Sequence, residues 1–149
     1  MKLTTVIRFV IAAAALVSGY AHLSLYNDGY KDIPVAHIGA QFLLNAIGAV
    51  AIAVGMLAPF LLPALDRWMT RAAALGATAW AAIGLVAFWQ ARTSGGWFGY
   101  QDQPGLNPKP EAPMAVFAEF VVLAAAIALL VLVIAPLGAR RSRATITAS

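Results

Sequence analysis

Cysteine is absent from the 149 residues, which excludes disulfide frameworks, CxxC redox chemistry, thiolate zinc, iron–sulfur clusters and covalent c-type haem within this chain. Histidine occurs only twice, so one copy cannot supply the three imidazoles of a typical copper cluster or catalytic zinc. Charge is scarce as well, at 11% of residues, whereas 62% are hydrophobic. The mean hydropathy of +0.81 lies outside the range of a soluble domain of this size. The composition predicts a membrane protein. The net charge of +4 does not point to nucleic acid, because the bases flank apolar runs instead of forming a stripe.

Four apolar runs are long enough to cross roughly 30 Å of hydrocarbon, which takes about 20 helical residues. They cover residues 3–25, 35–62, 71–91 and 114–136. The expected fold is therefore all-α, a single integral membrane four-helix bundle spanning 1–149, with a long loop at 92–113 and a tail at 137–149. Basic residues near helix ends are retained in the cytoplasm. Lys2, Arg8, Arg67, Arg71, Arg140, Arg141 and Arg143 fall on one side, and Lys31, Arg92 and Lys109 on the other. That bias predicts both termini inside and a multi-pass protein of a bacterial cytoplasmic membrane. Tyr26, Tyr30, Trp97, Phe98 and Tyr100 mark the outer boundary and Trp68 the inner one, since these rings favour headgroup depth. Lys2, Arg8 and the apolar 9–17 stretch also resemble a secretory signal. The run continues through Leu23 and Leu25 and the cleavage box Gly19-Tyr20-Ala21 is poor, so a retained helix is expected.

Lipid offers no hydrophobic force between helices, so packing depends on close approach of small residues. The third helix carries Ala72, Gly76, Trp80 and Gly84 at four-residue spacing, with Ala73, Ala77 and Ala81 on a neighbouring face. Gly48 and Gly55 lie on one side of the second. These rows serve packing inside the bundle or between copies.

Polar residues inside a bilayer are costly, and their positions carry information. His37, Gln41 and Asn45 are spaced i, i+4, i+8 on the second helix, a stripe of about 12 Å. Ser18, His22 and Tyr26 end the first helix at the same spacing. A short loop makes these helices antiparallel neighbours, so the two histidines are expected to meet at similar depth. Glu119 enters the same outer layer early in the fourth helix. The candidate ligand-binding residues are thus His22, His37, Gln41, Asn45 and Glu119. Catalytic residues are not identifiable, and whether the protein is an enzyme stays open.

Two arrangements of this layer are possible. The amides, hydroxyl and imidazole can satisfy one another and fix helix register, or they can line a pocket in which amides and histidine bind the carbonyl oxygens of a quinone-type molecule. A metal site from His22, His37, Asp28 and Asp32 is allowed by ligand type, and a b-type haem between two histidines by number. Neither has diagnostic spacing, and no cofactor is expected. Glu119 is read as an acid at a helix N-terminus that reaches the interface or pairs with Arg92, the alternative being a proton carrier. Arg8 is expected to snorkel to the inner surface. The 92–113 loop, rich in proline and glycine, is expected to lack regular structure and to cap the polar layer or dock a partner.

Arg8 opening the first helix, Ser18-Gly19-Tyr20-Ala21-His22-Leu23, the Gly48 to Leu57 run and Phe117-Ala118-Glu119-Phe120 together resemble DoxX-like small four-helix bacterial membrane proteins. The resemblance implies a four-helix bundle and, for some members, association with membrane redox complexes, sulfur-compound oxidation or oxidative-stress assemblies. The loop from Tyr26 to His37 departs from the better-known members, and no catalytic residue is carried across. The alanine-rich composition suits a high-GC bacterium.

Three function classes follow. The first is a non-catalytic accessory, assembly or scaffold subunit of a membrane complex, with a membrane-protein partner or a second copy of itself. The second is a quinone- or cofactor-binding redox component using the outer polar layer. The third is a small oligomeric proton-coupled transporter, against which Glu119 reads as too shallow to face a cavity. The bilayer is a partner in all three, and nucleic acid in none.

Overall fold

A computed structural model describes residues 2–102 and 110–146, with side chains up to Ile134. Four long helices account for nearly all of it: α1 (Leu3–Asn27), α2 (Ile38–Leu57), α3 (Asp66–Gln90) and α4 (Glu111–Ile146). All four are long and apolar enough to cross a membrane. No strand occurs among the described residues; Trp97 and Tyr100 form an isolated bridge.

The boundaries follow local chemistry. α1 stops at Asn27, whose amide turns back onto the Leu23 carbonyl at 3.0 Å, and Gly29 reverses the chain at φ +116°. α2 is shorter than its apolar run. Val35–His37 form a 3-10 turn in which Ala36 and His37 both take left-handed backbone angles. The run's other end becomes two 3-10 turns, Ala58–Phe60 and Pro63–Leu65, because Pro59 and Pro63 bring no N–H to the helical ladder.

α3 begins five residues before its apolar run. Asp66 sits in its first turn, where a carboxylate suits the helix dipole, and accepts a 3.2 Å bond from the Thr70 hydroxyl. α4 likewise begins at Glu111, since Pro113 falls in the first turn, where its missing N–H costs nothing. It also continues past Pro136 through the segment expected as a tail. Strong helix formers such as Ala139 and Arg140 follow that proline.

The helices pack in a ring in which each touches the next in chain order and α4 closes on α1; α2 and α3 form the loosest pair. The buried core is built from Ile11, Ala12 and Ala15 of α1, Ala49, Ile52 and Met56 of α2, Ala77 and Ala81 of α3, and Val122, Ala126 and Leu129 of α4. So many alanines mean close backbones: a Cβ on Gly19 would lie 2.6 Å from that of Ala49, and one on Gly55 2.8 Å from that of Ala73. The small-residue row of α3 divides in consequence. Ala73, Ala77 and Ala81 face inward, while Ala72 and Gly76 lie on the outside.

At one end of the bundle, here called the basic end, Arg8 reaches Asp66 and Thr70 across the helices and lies 5.4 Å from the Phe60 ring centroid. Its side chain is only 11% exposed. Two acceptors on α3 therefore hold the Arg8 guanidinium against the bundle at this end. At the opposite, aromatic end, residues 91–102 fold back over the helices. Trp97 and Tyr100 exchange backbone bonds of 2.8 and 2.9 Å, and the Asp102 amide returns to the Ala91 carbonyl at 2.8 Å. This part of the 92–113 loop is ordered by those bonds, whereas 103–109, with Pro104, Pro108 and Lys109, lie outside the described residues.

Candidate functional site

A cavity of about 340 Å³ lies between α2, α3 and α4 under the folded-back segment. That volume is within the range of about 300–1,000 Å³ found for ligand pockets. Its walls are mainly apolar and aromatic, with Phe42 from α2, Trp80 and Phe88 from α3, and Trp97 and Tyr100 from the cap.

Its floor is polar and centres on Glu119, which is 2% exposed. Ser18 Oγ donates to Glu119 Oε1 at 3.2 Å and Asn45 Nδ2 to the same oxygen at 3.4 Å. His22 Nε2 stands 3.9 Å from it. Since a carbonyl only accepts, the 2.9 Å contact of His22 Nδ1 with the Ser18 carbonyl puts a hydrogen on Nδ1. Three helices therefore converge on one carboxyl. Room for it comes from Gly84 on α3, where a Cβ would lie 2.6 Å from both carboxyl oxygens.

Trp80 sets the depth of the cavity. Its indole N–H donates to the Asn45 carbonyl at 3.1 Å, and its ring lies against Gly48, where a Cβ would come within 2.9 Å. The ring thus spaces α2 from α3 just below the floor.

The cap is tied on by side chains. Trp97 Nε1 donates to Gln41 Oε1 at 2.6 Å, and Gln41 Nε2 donates to the Ala36 carbonyl at 2.6 Å. Arg92 pairs with Asp102 at 2.7 Å and stacks 3.5 Å over the Phe88 ring. Tyr30 stacks on Phe42 with centroids 4.6 Å apart. Burial pushes the Tyr100 hydroxyl well above its ordinary pKa, with Tyr30 and the Asp102 charge adding to the shift. Tyr30 is raised by the same two causes, burial first and Asp102 second.

Of the five residues singled out from the sequence, four line the cavity: His22, Gln41, Asn45 and Glu119. His37 does not. The left-handed turn at Ala36 and His37 takes it out of the helical stripe and leaves it exposed, whereas His22 lines the cavity. Asp28 and Asp32 are exposed, and among the described residues no three of His, Asp and Glu gather as metal ligands. Glu119 bonds to Ser18 and Asn45, while Arg92 pairs with Asp102. The expected pairing of Glu119 with Arg92 is thereby replaced, because each finds a nearer partner.

Sequence reasoning missed Trp80, Gly84 and Asp102 as parts of the site, whereas a cap over the polar layer from the loop that carries Trp97 and Tyr100 was one of its expectations. The i, i+4 pairs Ser18 and His22, and Gln41 and Asn45, carried the local signal. No protein-family model, curated protein or solved structure matches this chain.

Proposed function

We propose that this is a polytopic protein of a bacterial cytoplasmic membrane, both termini inside, whose bundle binds a small lipophilic molecule in the half of the membrane facing out. The observation that carries this reading is the cavity, apolar in its walls and with a carboxyl at its floor. A register-fixing polar layer would be packed shut, whereas Asn45 and Glu119, bonded to each other, both line the cavity. Polar and ionisable groups at such depth mark functional sites more often than structural ones. The apolar exterior of α2, with Leu44, Ile47, Val50 and Val54 all exposed, suits a lipid surround.

A place among DoxX-like proteins belongs to the same proposal. Two segments that carry that resemblance, Ser18 to Leu23 and Phe117 to Phe120, supply the bonded pair Ser18 and Glu119.

The accessory-subunit reading is favoured by one feature, the flat outward strip of Ala72 and Gly76 on α3, against which another helix can pack closely. Native mass spectrometry of the protein released from mild detergent separates the two. The binding reading expects a bound small molecule at near one-to-one, lost when Ala87→Phe fills the cavity. A protein that carries no small molecule but arrives with a stoichiometric membrane partner is an accessory subunit instead.

A further inference from the structure

We infer that the ligand of this cavity is a lipophilic amine, which reaches it sideways between α2 and α3 and sets its N–H-bearing head against Glu119. This rests on the binding reading above and names the chemical class.

The floor has acceptors to spare and few donors. Both bonds to Glu119 go to Oε1, and no described side chain donates to Oε2. Asn45 Oδ1 is buried beside it with no donor at all. With its hydrogen on Nδ1, the His22 ring in its neutral form presents Nε2 as a further acceptor. Three donors of the lining are already committed, the Trp80 indole to the Asn45 carbonyl, the Trp97 indole to Gln41 and the Gln41 amide to Ala36; the Tyr100 hydroxyl, unpartnered, belongs to the cap and not to the floor. Buried acceptors left unmatched are costly, and a ligand that brings donors recovers that cost.

Charge points the same way. No Lys or Arg among the described residues pairs with Glu119; its one ionisable neighbour is His22. An acid in a low-dielectric setting is stabilised by a proton or by a cation that comes with its own apolar body. Of the aromatic side chains lining the cavity, Phe88 already carries Arg92 over one face and Phe42 carries Tyr30, which leaves Trp80 as the ring best placed to favour an ammonium. Among the described residues no three of His, Asp and Glu gather there to hold a metal ion instead.

The route follows from exposure. Leu44 of α2 is 65% and Ile83 of α3 60% exposed on the outside of the bundle, yet both line the cavity. The opening therefore lies in the side of the bundle, at its loosest helix pair, where a membrane-dissolved molecule meets it directly.

The test uses the full chain in nanodiscs, with radiolabelled 2-naphthylmethylamine and, as a shape match that only accepts hydrogen bonds, 2-acetonaphthone; empty discs are subtracted. The amine is expected to bind saturably and at least about tenfold tighter than the ketone, with Glu119→Gln removing most of that preference. Selectivity in the unaltered protein needs no variant, so a misfolded Glu119→Gln would not spoil the result. Tighter ketone binding, as a protonated Glu119 donating to a carbonyl would give, overturns the amine assignment but leaves the pocket standing. If neither probe binds above empty discs, and filling the cavity with Ala87→Phe changes nothing, the binding reading falls and takes this inference with it. For the route, the chain's lack of cysteine allows Leu44→Cys and Ile83→Cys to be bridged by a bismaleimide. Bridging should slow amine binding, and an unchanged rate would rule out the lateral opening.

Discussion

The carboxyl of Glu119 lies flat against the backbone of Gly84, on the neighbouring helix, so closely that a single methyl group there would occupy its place. Glu119 stays at the cavity floor because position 84 has no side chain. Gly84→Ala should therefore separate stability from binding. Alanine favours the helix by about 1 kcal/mol over glycine, and the carboxyl is the movable end of a side chain, so thermal unfolding should stay level or shift upward. Retention of a small molecule at the cavity should fall several-fold. A variant that loses both together would mean that Gly84 serves helix packing alone.

Trp97 holds the cap through its indole bond to Gln41. Trp97→Phe keeps the ring contact and deletes the donor, a change of about 1 kcal/mol. Amide hydrogen exchange in 92–102 should then quicken, while exchange in the helix cores does not.

Arg8 ties the N-terminal part of α1 to that of α3 through Asp66 and Thr70. Arg8→Ala removes both bonds and should cost about 1 to 3 kcal/mol in unfolding free energy. Asp66→Asn should cost less, since that side chain is 52% exposed and water screens the charge. Equal losses from the two would mean that the Thr70 bond carries nothing.

Tyr30 and Tyr100 are held above their ordinary pKa by burial and by Asp102. Each is more readily ionised in the unfolded chain than in the folded one, so stability from the pair is fully present below about pH 10 and is lost as pH rises above it. Tyrosinate absorbance should show a late component that Tyr30→Phe and Tyr100→Phe remove. A titration with no such component would show that the cap does not exclude water from these hydroxyls.

Much of the architecture was legible in the residues themselves. Hydropathy alone finds four helices, since about 20 apolar residues in a row have few alternatives in a membrane. The same logic misjudged their ends. Hydropathy registers where apolar residues begin, whereas Asp66 and Glu111 begin helices because a carboxylate suits a first turn. Gln41, Asn45 and Glu119 stood out because a polar side chain in an apolar run needs a reason. The sequence thus determined that the chain is a set of long apolar helices and which polar groups they carry, both being properties of single segments.

Which of those groups meet was decided only by the tertiary structure. Helical periodicity put His37 on the stripe with Gln41 and Asn45, and two left-handed residues took it off. Arg92 was the natural partner for Glu119 by charge, yet Asp102 folds back onto Arg92, and Glu119 turns to Ser18 and Asn45. Whether the polar layer is packed shut or open depends on how far α2 stands from α3. That spacing is set by the Trp80 ring against Gly48, a contact between segments that no periodicity within either one encodes.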